Sequence, residues 1–201
     1  MSPEVSPEVE SSLSLGTVYP IAPQPADEES TRWIDVGPIA IGVEYRELDP
    51  DSLLATYADN PQSMEEILKA GGATFVDEGV SLHVKSTAED HEYLRFDVFE
   101  GEPHYHYIRK VSASEEISNH IIPFDTAAHG EMFEWAIRCL RERLPAMLGE
   151  VEAEGLVRDL DPARLTKAID QAEALARTAR ENLQKVRRAV DEAGGNTTAS
   201  R

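Results

Sequence analysis

The chain has 201 residues, 41% of them hydrophobic, with a formal net charge of −19 and one cysteine. That length suits one domain with appendages, and a lone Cys139 excludes an intramolecular disulfide or a cysteine-based zinc cluster. Such acidity argues against phosphate-backbone recognition and against docking on anionic lipid, both of which need basic surface.

The charge is uneven. Residues 1–31 carry six acids and no Lys or Arg, residues 162–201 have a net charge of +3, and the stretch between them holds −16. The opening residues, "MSPEVSPEVESSLSLGTVYP", have no basic n-region or apolar h-region, and no run of about 18 apolar residues follows. A cytoplasmic location is therefore expected. Arg outnumbers Lys fourteen to five and Ala is common, a composition that points to a bacterial source.

Residues 1–31, rich in Ser, Pro and acids, read as a disordered acidic tail. From Trp33, "WIDVGPIAIGVEYREL" alternates Ile39, Ile41, Val43 and Tyr45 on one face with Ala40, Gly42, Glu44 and Arg46 on the other, the pattern of a half-buried strand. "SMEEILKAGG" reads as a short helix, with Ser63 as N-cap, Glu66 at the capping-box position and Gly71 and Gly72 as its stop. Three period-two runs follow, "ATFVDEGVSLHVK" with a turn at Asp77–Gly79, "EYLRFDVF" and "HYHYIRK", and "NHIIPF" offers a further short strand. After Asp125 the period becomes helical. Phe133, Ile137, Leu140 and Leu144 share a face, Asp125 or Thr126 caps it, and Pro145 marks a kink or a new start.

Residues 159–193 form the most regular segment. Leu165, Ile169, Ala172, Ala176, Ala179, Leu183, Val186 and Val190 are spaced alternately four and three apart, a heptad seam. The helix is capped by Asp161 and Pro162, closed by Gly194 and Gly195, and ~45 Å long at ~1.5 Å per residue. Its alanines let a partner approach closely, and self-association or pairing with another helix is expected slightly ahead of packing on the chain's own domain.

The histidines fall on one sheet face. If "EGEP" is a four-residue loop, Phe99 opposes His104, Asp97 opposes His106 and Arg95 opposes Ile108. Leu94, Phe96, Val98, Tyr105 and Tyr107 then face the core, and parity with Val80, Leu82 and Val84 gathers His83, Tyr93, Arg95, Asp97, Phe99, His104 and His106 on the opposite side. This face meets water, or lines a ligand pocket, or holds a metal ion. In a pocket, Arg95 would hold an anion and Asp97 would orient His106 as general base, with His83, His104 and Tyr93 as further contacts. For a metal, His104 and His106 would share the ion with His83 or Asp97. "HYH" is similar to the His-x-His strand of the cupin family, but the closely following Glu is missing and the chain turns helical after residue 125, which excludes that fold. No phosphate-binding glycine loop and no Gly-x-Ser-x-Gly elbow is present. His129 reads as a capping or packing residue in a first helical turn, His91 as an exposed turn residue, and Cys139 as an inert buried thiol.

The expected architecture is α+β. A mainly antiparallel sheet of four to six strands, with helices on one face, spans residues 32–158, and the heptad helix and a disordered tail at 194–201 follow. The leading functional expectation is a non-catalytic accessory or oligomerising protein that assembles through its C-terminal helix. The alternative is a small-molecule-binding protein or enzyme using the His/Asp/Arg face, with or without a divalent metal; no cofactor is otherwise indicated.

Overall fold

A computed structural model describes residues 16–69, 74–111, 117–158 and 160–195, the side chains of 186–195 excepted. In chain order the strands are β1 (Thr17–Tyr19), β2 (Arg32–Asp35), β3 (Ile39–Leu48), β4 (Asp77–Ser86), β5 (Glu92–Phe99), β6 (His104–Lys110) and β7 (Ile117–Pro123). The helices are α1 (Pro50–Thr56) and α2 (Pro61–Lys69) between β3 and β4, then α3 (Thr126–His129), α4 (Met132–Glu142), α5 (Leu144–Gly149) and α6 (Pro162–Gly195) after β7.

The strands form one antiparallel sheet in the order β1-β7-β6-β5-β4-β3-β2. The class is α+β as expected, but the sheet has seven strands rather than four to six. Strands β2 to β7 are a meander, each paired with its successor, and β1 joins the far edge by pairing with β7. The expected turn at Asp77–Gly79 is absent: β4 runs straight through it in ten pairs with β3, from Leu48↔Asp77 to Ile39↔Ser86. Gly79 is required inside that strand, because a Cβ there would stand 2.3 Å from the Val98 carbonyl oxygen.

The apolar face carries Ile39, Ile41, Val43, Val80, Leu82, Val84, Leu94, Phe96 and Val98, all buried, and α4, α5 and α6 pack on it. The amphipathic stripe read from the sequence supplies Phe133, Ile137, Leu140 and Leu144 to this core. The helix that carries them is broken at Gly130, at φ 76°, where a continuous one was expected, and α5 starts at Leu144 with Pro145 in its first turn, the new start read from the sequence. Asp125 does cap α3, accepting from Ala127 and Ala128 N–H at 3.0 Å each. His129 thus ends α3 instead of opening a longer helix. Upstream, α2 begins at Pro61, with the Asn60 side chain accepting from Ser63 N–H, so Ser63 lies inside the helix rather than capping it; Gly71 and Gly72 are outside the described residues.

The heptad seam is used within the chain. Ile169, Ala172 and Ala176 are buried against the sheet, mainly β3, while Leu165 and Ala179 are partly buried against the same core. Leu183 is half-buried, and the side chains of Val186 and Val190 lie outside the described residues. The small alanines admit a sheet where the sequence suggested a second helix. Arginines of α6 also pair in cis, Arg177 with Glu134 at 2.9 Å and Arg164 with Asp35 at 3.2 Å. Among the described residues no helix is long and apolar enough to cross a membrane.

Residues 16–31, part of the segment read as a disordered tail, form β1 and a connection to β2. Because β1 and β2 lie at opposite edges, Pro20–Thr31 must cross the sheet. Six inter-strand spacings of ~4.8 Å make ~29 Å, which twelve extended residues at ~3.3 Å each can span. This strap runs over the polar face: the Gln24 carbonyl accepts from Arg95 at 2.8 Å and from Arg46 at 3.4 Å, Asp27 N–H donates to Glu44, and Ile21 is buried. α1 braces it from above, with the Tyr57 hydroxyl donating to the Ala22 carbonyl at 3.0 Å. Helices therefore lie on both faces, densely on the apolar one and as α1 and α2 over the polar one.

Packing of the alanine seam on its own sheet predicts that Ala172→Leu or Ala176→Leu destabilises the chain by about 1–3 kcal/mol through overpacking. Urea unfolding checks it; a seam reserved for a second helix would instead tolerate or gain from the larger side chain.

Candidate functional site

Strand parity brings the polar residues together, but with two departures from the expected register. Asp97 pairs with His104 and Arg95 with His106, two residues away from the pairing expected for a four-residue loop. Asp77 shapes that connection by accepting from Gly101 and Glu102 N–H at 3.0 and 2.7 Å. A shift of two keeps every side chain on its face. The second departure is a bulge at Val84/Lys85, which pairs Lys85 with Glu92 and Val84 with Leu94 and leaves Tyr93 as the extra residue. Tyr93 consequently joins the apolar core, its ring edge-on to His91 and its hydroxyl donating to Glu89. Glu92 takes its place on the polar face. His91 is buried, with Nε2 3.3 Å from the Ile108 carbonyl, and not exposed as expected.

Two buried networks result. The first joins Glu44, His83, Glu92 and Arg95. His83 Nδ1 lies 2.6 Å from Glu92, while its Nε2 is in ion-pair contact with Glu44 at 3.1 Å, off the hydrogen-bond axis. Arg95 donates to Glu92 through both Nε and Nη2. Burial pushes the His83 imidazole down, but the carboxylates of Glu92 and Glu44 outweigh it and leave the ring raised. Burial alone would raise the Glu92 carboxyl; Arg95 and His83 hold it well below the usual carboxylate range. His83 thus ties two strands from beneath and does not line the cavity, and Arg95 is committed to Glu92 and the strap rather than free for an anion.

The second network joins Ser81, Asp97, His104, His106 and Asn119. The Ser81 hydroxyl donates to Asp97 Oδ1. Asp97 Oδ2 is 2.9 Å from His106 Nε2 and 3.3 Å from His104 Nε2. His106 Nδ1 is 2.8 Å from Asn119 Oδ1, and His104 Nδ1 is 2.6 Å from the Glu102 carbonyl. Burial would raise the Asp97 carboxyl, yet its histidine partners hold it well below its ordinary value. Burial lowers His106, which Asp97 does not fully offset; in His104, nearer the surface, the pull of Asp97 prevails and the ring is raised. Both nitrogens of His106 are engaged, so Asp97–His106 is not a dyad with a free nitrogen for general-base work. The donor atoms of Asp97, His104 and His106 lie within 4.8 Å of one another and could hold a metal ion.

Above the second network lies a cavity of about 580 Å³, within the ~300–1,000 Å³ typical of ligand sites. Asp97, His104, His106 and Asn119 form its polar floor, Ile21, Leu53, Phe75, Ile121 and Phe124 are among its apolar walls, and Arg46 and Arg95 stand at the side. Sequence reasoning found Asp97, His104 and His106. It missed Asn119, which parity along "NHIIPF" places on this face, and Ser81 and Arg46 as partners. Glu92 was hidden by the bulge, and the strap gave no signal. Cys139 is buried and away from the cavity, its thiol pushed up to about 11 by burial.

A family model described as a domain of unknown function, DUF7700, matches residues 33–176. The match includes every floor residue, ends at the buried Ala176 of α6, and leaves the strap outside. No curated protein and no solved structure matches the chain.

Glu92→Gln is expected to cost about 3–5 kcal/mol at neutral pH, since it removes the nearest carboxylate from two buried groups, Arg95 and His83. A carboxyl depressed by folding stabilises above its unfolded pKa of ~4.3 and loses that contribution as pH falls through the folded value. Urea unfolding between pH 3 and 7 should therefore show a constant gap above pH ~4.3 that narrows below it without closing by pH 3; a gap equal at pH 3 and pH 7 would contradict this role.

Proposed function

We propose a ligand-binding function for this chain, which belongs to the DUF7700 family: the cavity between the strap and the polar sheet face takes a small amphipathic molecule. Its apolar part rests against Ile21, Leu53 and Ile121, and its polar end lies over His104 and Asp97.

One observation carries this reading. Among the described residues, the Asp97 network bonds only among its own members and the Glu102 carbonyl, and none of its hydrogen bonds reaches the strap. The strap is fastened by Arg46, Arg95 and Glu44. Buried carboxylate–imidazole clusters are costly relative to well-packed apolar side chains. The cluster links β4 to β7 but fastens no part of the strap, and its place in the floor of a cavity of ligand size is what a ligand site requires. The in-chain packing of Ile169, Ala172 and Ala176 supports this reading over assembly through the C-terminal helix.

The test is a thermal-shift panel of small aliphatic and aromatic acids and alcohols, run on the parent and on Ile121→Trp, whose indole would fill the cavity beside His106. A binding compound at ~100 times its Kd adds about 2.7 kcal/mol to unfolding. The expected result is stabilisation of the parent by at least one class and none of the variant, with circular dichroism unchanged. Equal shifts in both proteins would place the binding elsewhere, and no shift with any class would count against the pocket.

A further inference from the structure

We infer that Asp97 Oδ2, His104 Nε2 and His106 Nε2 form a three-ligand site for one divalent transition-metal ion, with its remaining coordination positions toward the cavity. The inference deepens the pocket reading and rests on it only for access to those open positions.

The argument begins with hydrogen-bond roles. The Glu102 carbonyl can only accept, so His104 Nδ1, 2.6 Å away, carries its proton. Asn119 presents Oδ1 to His106 Nδ1 at 2.8 Å, so that nitrogen donates as well. In each neutral ring this leaves Nε2 as a lone pair, and both lone pairs are aimed at the same carboxylate oxygen, at 2.9 and 3.3 Å. Three such atoms converge in a buried site only with a cation among them, a proton on one Nε2 or a metal ion, and the metal ion leaves both Nδ1 protons where the Glu102 carbonyl and Asn119 Oδ1 hold them. One divalent ion satisfies all three at once.

The spacing fits. Ligand atoms ~2.1 Å from an ion and 90–110° apart are about 3.0–3.4 Å from each other. The surroundings fit too. Metal-bound imidazoles pass their other N–H to a carbonyl or carboxylate, and the ligating carboxylate is itself hydrogen-bonded; here Glu102, Asn119 and Ser81 do so. Arg46 and Arg95 make their direct ion pairs with Glu44 and Glu92 and act on Asp97 only through space, leaving its Oδ2 open to a metal ion. All three ligands stand on adjacent strands β5 and β6, a rigid mounting. Two imidazoles and one carboxylate select Zn, Fe, Co, Ni or Cu over Mg and Ca, which take oxygen ligands. A divalent ion with one carboxylate keeps a positive charge, so the ligand that completes its shell is an anion or a chelating oxygen donor.

The experiment uses full-length protein stripped with chelator. ZnCl₂ is titrated by calorimetry, and CoCl₂ by visible absorption, where a bound ion in a low-symmetry site gives intense ligand-field bands. One ion per chain is expected. His104→Gln, at the rim of the cluster, and Asp97→Asn should each weaken binding ~100-fold or more, while His129→Gln, on exposed α3, should not. Undiminished binding in His104→Gln, or no saturable one-to-one binding by the parent, overturns the proposal. If Asp97→Asn fails to fold, the parent's cobalt spectrum still decides: bands no stronger than those of the aqueous ion overturn it. Ile121→Trp separates the two readings, because it should keep cobalt and lose the organic ligand. Organic ligand bound by metal-free parent with no cobalt uptake overturns the metal site alone; cobalt uptake with no organic ligand supports the metal site and counts against the pocket alone.

Discussion

The placement of β1 and β2 at opposite edges of one sheet governs the rest of the structure. A chain that pairs at both edges in succession must cross a face between them, and the face it crosses loses contact with water. Every polar side chain there then needs a partner, because an unsatisfied buried polar group costs about 1–3 kcal/mol. Glu44, Ser81, His83, Arg95, Asp97, His106 and Asn119 are all buried, and they satisfy one another in interlocking networks. An antiparallel sheet with one wet face, the usual outcome for such alternating strands, becomes a sheet covered on both faces, by helices on the apolar one and by the strap and its cavity on the polar one.

That crossing was not legible in the sequence. Residues 20–31 show no period, and what fastens them is largely a backbone carbonyl, that of Gln24, which composition cannot reveal. The sheet face itself was legible, and for an instructive reason. The expected β5–β6 register is off by two, yet Asp97, His104 and His106 still meet, since side-chain direction repeats every two residues. The bulge at Val84/Lys85 changes the count by one, and there parity fails: Tyr93 leaves the face and Glu92 enters it. Offsets that preserve parity are harmless to such a reading, and a single inserted residue is not.

The C-terminal helix shows a different kind of limit. A four-three spacing of apolar residues describes a narrow stripe on a helix and says nothing about what the stripe touches. Alanine at three successive seam positions permits close approach equally to a helix or to a sheet. The sheet takes Ile169, Ala172 and Ala176 because β3, with Ile39, Ile41 and Val43, offers it a continuous apolar surface in the same chain.

The two buried networks are interleaved rather than stacked in separate places. On neighbouring rungs of the same strand pair, Arg95 opposite His106 holds the strap and Asp97 opposite His104 floors the cavity. The strap is also a wall of that cavity, through Ile21 and Gln24. Whatever binds there contacts the fastened strap and not the released one, so by linkage occupancy stabilises the fastening and the fastening strengthens occupancy, by the same factor. The charges that pin the strap are therefore part of the binding free energy even though none of them needs to touch the ligand.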